Sequence, residues 1–178
     1  MEKTNPKNRT LRVMLYGALC VALSFALSYI KLFPMPMGGS VTLCSMLPIC
    51  LFACAFGPKY GFLAAFAYGV LQVIQGAYVV HPVQFVLDYF LAFTALGLAS
   101  LFPKKYALGM AVGGTARMLC SVVSGAVFFA AYAAEAGWNN AWVYSFVYNL
   151  TSIGVETALC VVVALLPPVK KIVNKLAV

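Results

Sequence analysis

Carboxylates are scarce in this sequence: Glu2, Asp88, Glu135 and Glu156 are the four acids in 178 residues. Charged residues of both signs make up 9% of the chain and hydrophobic residues 63%, whereas a soluble domain carries about 25% charged residues. No hydrophilic stretch is long enough to fold as a soluble domain, so residues 1–178 read as one transmembrane unit. Histidine occurs once, as His81, and GxSxG, HExxH and Walker A motifs are missing. Hydrolytic, zinc-protease and self-powered ATPase chemistry therefore have no residues to run on. The chain reads as a non-enzyme without a cofactor. Its six cysteines show no CxxC spacing and all lie inside apolar segments, which makes them small buried apolar residues rather than zinc ligands. The net charge of +8 is not a nucleic-acid signature, because the Lys and Arg residues sit at segment ends and not on one soluble face.

Long hydrophobic runs are abundant. A basic start, Met1 to Arg9, precedes an apolar run of about 20 residues, longer than the 7–15 of a signal-peptide core, so it reads as a retained first span. Six spans are expected, near Leu11–Ile30, Val41–Phe56, Tyr60–Gly76, Pro82–Phe102, Ala107–Ala133 and Trp142–Leu166. The fold class is an all-α integral membrane protein, a bundle of six transmembrane helices. Prolines and glycines between Lys31 and Ser40 forbid helix there, Gly57-Pro58-Lys59 marks a turn, and Pro167-Pro168 end the last span. With the N-terminus inside, ten basic residues fall on the cytoplasmic side and Lys31 alone outside, which sets the orientation by the positive-inside rule. The segments 1–10 and 169–178 are then cytoplasmic basic ends, and the cell membrane is the expected location.

The fourth span organises the rest, because it carries Asp88. An acid within hydrocarbon costs roughly 2.5–3.5 kcal/mol on insertion scales, and it is retained where it faces a bundle interior and meets a donor or cation. Asp88 would lie about 9 Å below the outer mouth at 1.5 Å per residue. Arg117 and Glu156 come to like depth on antiparallel neighbours and are expected to form a structural ion pair, with contact to a ligand as the alternative. Ser145, Asn149, Ser152 and Glu156 recur at spacings of four, three and four on one face, a stripe that must face other helices. Tyr144 and Tyr148 flank it. Tyr78, Trp138 and Trp142 fit an interfacial aromatic belt and also stand where a flat ligand would enter; His81 sits at the same mouth. Aromatic rings around one carboxylate suit a flat cation. Ala18 and Ala22, four apart on the first helix, form a small-xxx-small patch that admits close helix approach.

These residues together resemble the ThiT family, the thiamine-specific substrate-binding (S) components of energy-coupling factor (ECF) transporters. The segments that carry the resemblance are Gly38 to Leu43 with Pro48, Gly57 to Gly61, Leu87 to Phe93, and Trp142 to Ser145 with Tyr148-Asn149. The resemblance implies capture of thiamine from outside, with ATP-driven uptake through a shared transmembrane coupling protein and two cytosolic ATPase subunits. It assigns the family's acid to Asp88, the following tyrosine to Tyr89, the sixth-helix pair to Tyr144 and Asn149, and a tyrosine before the fourth helix to Tyr78. It assigns the docking alanines to Ala18 and Ala22. Where some members have Glu, His and Trp, this chain has Asp88, Ser121 and Phe129, and Gly38-Gly39 replaces a Trp-bearing stretch. The expected substrate-binding set is Asp88, Tyr89, Tyr144, Asn149, Tyr78, Ser121, Tyr148 and Phe129. The alternatives are an S component for a thiamine precursor or related vitamin, or a self-sufficient ion-coupled secondary transporter.

Overall fold

The structure, a computed structural model, describes residues 6–35 and 39–176. The first basic residues and Gly38 of the sequence reading lie outside the described residues. Helix α1 runs Pro6–Ser28 without an internal proline. It packs closely at Gly17, where a Cβ would stand 3.0 Å from the Phe52 ring. The chain then forms a hairpin of β1 (Lys31–Pro34) and β2 (Ser40–Thr42), pairing Lys31 with Thr42 and Phe33 with Val41.

This hairpin corrects the expected second span. Val41 and Thr42, both β-branched, pair in the hairpin, and Cys44 takes a left-handed φ of 53°. Helix α2 therefore begins only at Leu47 and ends at Phe56. Ten residues give about 15 Å of rise, half of what a bilayer core requires. Gly57, at φ 84°, turns the chain into α3 (Pro58–Gly76) with Pro58 in its first turn. Helix α2 is the centre of the core: Ile49, Cys50 and Ala53 are fully buried, together with Leu96, Met110 and Tyr68 from the surrounding helices.

The next helical segment, α4 (Pro82–Leu101), is continuous but not regular. One turn of α-helix is followed by a π-helical stretch at Val86–Leu91, a short α stretch, and a 3₁₀ stretch at Ala95–Leu101. The tighter final turns press Gly97 onto Phe62, where a Cβ would come within 2.9 Å of the Phe62 Cα. A turn with Lys104 at φ 64° leads into α5 (Tyr106–Phe128). The fifth span ends there, short of the expected Ala133, because the backbone breaks at Phe129 (φ −117°, ψ 22°) before the short α6 (Ala130–Glu135). Asn140 caps α7 (Ala141–Leu165) by accepting from the Trp142 and Val143 N–H groups at 2.9 and 3.3 Å. A second π-helical stretch, Leu150–Gly154, follows Asn149 directly. Pro167 and Pro168 end α7 as expected, and the basic tail forms a further helix, α8 (Pro167–Leu176), docked on α2 and α7 through Val173.

The architecture is nearly all helical. Among the described residues, four helices are long and apolar enough to cross a membrane: Asn8–Ser28, Pro82–Leu101, Tyr106–Phe128 and Ala141–Leu165. Their outward positions, such as Leu19, Leu119 and Val162, are exposed, as lipid-facing residues are. Helices α1 to α5 and α7 pack on one another around α2, and polar side chains collect on the inner sides of α3, α4, α5 and α7.

Candidate ligand-binding site

Proline and histidine set the start of α4. Pro82 occupies the first helical turn, and His81 Nδ1 accepts the Val83 N–H at 3.1 Å while its ring stacks on Phe128 at 4.9 Å. Two turns on, the π stretch widens the helix around Asp88; such stretches concentrate at functional sites. Asp88 Oδ2 accepts hydrogen bonds from Gln84 Nε2 at 2.7 Å and from Ser124 Oγ of α5 at 2.8 Å. Oδ1 has no hydrogen-bond partner among the described residues, and Asp88 lines a cavity of about 260 Å³.

That cavity is bounded by α3, α4, α5, α7 and the hairpin. All eight expected substrate-binding residues line it: Asp88, Tyr89, Tyr144, Asn149, Tyr78, Ser121, Tyr148 and Phe129. The whole stripe Ser145, Asn149, Ser152 and Glu156 does too. Rings form its mouth. Tyr78 stacks on Phe129 at 6.0 Å and bonds Tyr132 hydroxyl to hydroxyl at 2.7 Å, while the Tyr78 N–H donates to the Tyr89 hydroxyl at 2.8 Å. On the opposite side Tyr144 and Tyr148 lie 6.3 Å apart, and the Gly39 N–H donates to the Tyr148 hydroxyl at 3.1 Å, which brings the hairpin over the cavity. Trp138 packs edge-on against Tyr144 at 5.9 Å without lining the cavity, and Trp142 points outward. Asn149 donates to the Ser145 carbonyl at 2.9 Å, so its amide is held in place from within the helix.

Arg117 and Glu156 both reach the cavity floor, but not as an ion pair. Glu156, 2% exposed, gives its Oε1 to the Thr42 hydroxyl at 2.5 Å, the Ser45 N–H at 2.9 Å and the Ser45 hydroxyl at 2.8 Å. The non-helical turn at Thr42–Ser45 delivers these donors, and a helix there would have withheld them. The Arg117 guanidinium lies 4.2 Å over the Phe93 ring, its Nε and Nη1 buried with no hydrogen-bond partner. Phe93 thus takes the place expected of Glu156. Ala18 and Ala22 are both exposed on the outward side of α1, away from the cavity.

Gln84, Ser124, Gln72, Gln75, Tyr68 and Ser45 escaped the sequence reading. Two of them carried a signal. Gln84 is four residues before Asp88, hence on its face, and Arg117, Ser121 and Ser124 recur at i, i+4 and i+7. Ser45 could not be placed while its segment was read as helix.

Fold and site together define a multi-span membrane protein that encloses a small-molecule cavity walled by tyrosines, with the Asp88 carboxylate among them and Glu156 at its floor. The comparisons with known proteins are specific. The family model described as "Thiamine transporter protein (Thia_YuaJ)" matches residues 14–175, and the chain belongs to that family. Thiamine transporter ThiT of Bacillus subtilis (strain 168) is 33% identical over 146 residues, covering 72% of this chain and 74% of the relative. Thiamine transporter ThiT of Lacticaseibacillus paracasei (strain ATCC 334) is 32% identical over 179 residues, covering 88% and 87%. A solved structure of ThiT from Listeria monocytogenes superposes with a TM-score of 0.73 at 25% identity, over 95% of this chain and 98% of that one. The family is one of transporters, not of enzymes.

Proposed function

We propose that the protein is the substrate-binding component of an ECF-type transporter, capturing thiamine from outside the cell for ATP-driven uptake. The observation that carries this reading is Asp88, held by two donors on one oxygen in the wall of an aromatic-lined cavity. Thiamine pairs a flat aminopyrimidine with a permanently cationic thiazolium. A carboxylate oxygen can accept hydrogen bonds from the first and supply a favourable field to the second, and tyrosine rings offer stacking surface to both. The charged residues of the cavity, Asp88 and Glu156 with Lys31 and Arg117, balance formally, so attraction for a cation depends on its approach to Asp88. Tyr89, Tyr78, Phe129, Tyr144 and Tyr148 supply the rings, and Asn149 and Ser121 supply directional polar contacts.

Energy for transport comes from other subunits in this reading, because the chain has no nucleotide-binding motif. Ala18 and Ala22, exposed on α1, form the small-residue strip on which a coupling-protein helix can close to the 8–10 Å packing distance. With the stretch from the hairpin through α2 taken as one crossing and α3 as another, the chain makes six crossings with the four longer helices, and both termini face the cytosol by the distribution of Lys and Arg. Reconstitution in vesicles tests the coupling. Thiamine uptake is expected only with ATP, the coupling protein and both ATPases present. Uptake by the chain alone, driven by an ion gradient, would instead make it a secondary transporter.

A further inference from the structure

The mouth of the cavity and its acid are joined by one side chain that the thiamine reading leaves unused. Gln84 is 1% exposed, and every polar atom it has is engaged by protein. Its Nε2 donates to Asp88 Oδ2 at 2.7 Å and to the Tyr78 carbonyl at 3.1 Å, and its Oε1 accepts the Val80 N–H at 3.1 Å. With both amide protons spent, Gln84 has none to offer a ligand. Ser124, fully buried on α5, donates to the same Asp88 oxygen at 2.8 Å from the other side.

We propose that Gln84, with Ser124, is a positioning residue that sets the ligand's charge selectivity. By occupying Oδ2 from two helices, the pair fixes the carboxylate plane and reserves Oδ1 for the ligand. Gln84 also ties the backbone at Tyr78 and Val80 to that carboxylate, so the stacking ring of Tyr78 and the acid keep one spacing. Only an amide can do this, because the position demands two donations and one acceptance: glutamate would offer acceptors to the Asp88 carboxylate and the Tyr78 carbonyl, and a hydrocarbon would take a partner from three groups and leave Oδ2 to Ser124 alone.

The inference rests on the thiamine reading and has a separate signature. Binding of thiamine and of an uncharged isostere, with carbon in place of the thiazolium nitrogen, is measured on purified wild type, Gln84→Met and Ser124→Ala. A misaligned carboxylate weakens the aminopyrimidine contact of both ligands and in addition penalises the cation, so the charged ligand loses more. Each variant should lose about five- to tenfold in thiamine affinity, the worth of one hydrogen bond in alignment, with a smaller loss of about two- to threefold for the isostere, which keeps the aminopyrimidine and lacks the charge. Equal losses for both ligands mean general structural damage and overturn the proposal, as does an unchanged ratio. If Gln84→Met does not fold, Ser124→Ala decides, since it acts on the same oxygen and leaves the mouth loop intact. Wild-type protein that ignores thiamine overturns the functional reading and this proposal together, whereas wild type that binds thiamine with variants of unchanged selectivity overturns this proposal alone.

Discussion

Replacing Asp88 by asparagine isolates the charge at the centre of the site. The side chain keeps its shape, so the outcome depends on how the amide orients. Gln84 Nε2 and Ser124 Oγ both donate to Oδ2, and they will hold the amide oxygen there, since the reverse orientation would face two donors with a third. The amide nitrogen then occupies the Oδ1 position and presents protons where the ligand needs an acceptor. The substitution therefore removes the field on the cation and converts the directional contact from attractive to unfavourable. A charge-assisted contact is worth about 1.5–3 kcal/mol, which is roughly 10- to 150-fold in affinity. The fold should survive with an unchanged melting temperature, because both donors on Oδ2 stay satisfied and a buried charge is removed. Titration calorimetry of wild-type and Asp88→Asn protein in the same detergent reads the difference. Equal thiamine affinity in the two proteins would remove Asp88 from the site and refute the argument for a cationic ligand.

Three further outcomes follow from the geometry. Glu156→Gln keeps an acceptor but loses the charge that holds Thr42 and Ser45, and it should lower thermal stability by about 1.5–3 kcal/mol with a smaller effect on thiamine affinity; lost affinity at unchanged melting would make Glu156 a ligand contact. Gly69→Ala drives a methyl group against the Tyr89 carbonyl and within 3.0 Å of the Phe93 Cβ, so overpacking should cost about 1–3 kcal/mol and weaken binding by shifting the π stretch, with melting and titration as the readouts. Ala18→Trp with Ala22→Trp should leave thiamine binding intact and abolish ATP-driven uptake in the reconstituted complex, and persistent uptake would place docking elsewhere.

Much of the site was legible from polar residues stranded in hydrophobic runs. Asp88, the Ser145–Glu156 stripe and the tyrosines stood out because hydrocarbon tolerates such groups only when they face inward, and the structure brings them to one cavity. What the sequence hid was local backbone geometry. Periodicity at 3.6 residues does not report a π turn, so the widened helix around Asp88 and the one after Asn149 left no pattern to read. Val41 to Met46 is apolar enough for a span, and only the pairing of Val41 and Thr42 with β1 shows why the helix waits until Leu47. That error carried the wrong partner for Glu156 with it. Depth along antiparallel helices placed Glu156 and Arg117 level, while the donors that Glu156 accepts from lie on a turn read as helix. The second span reads as short from its sequence, but its full burial in the bundle and the docked α8 were beyond reach, since burial inside a bundle and burial in lipid select the same residues.

The central claim is that this cavity holds thiamine. Titration of the purified, ligand-free protein with thiamine, followed by quenching of tyrosine and tryptophan fluorescence, tests it most directly. One equivalent should saturate the signal, and the uncharged isostere should bind more weakly. No response to thiamine, with saturable binding of a neutral or anionic vitamin instead, would contradict the account.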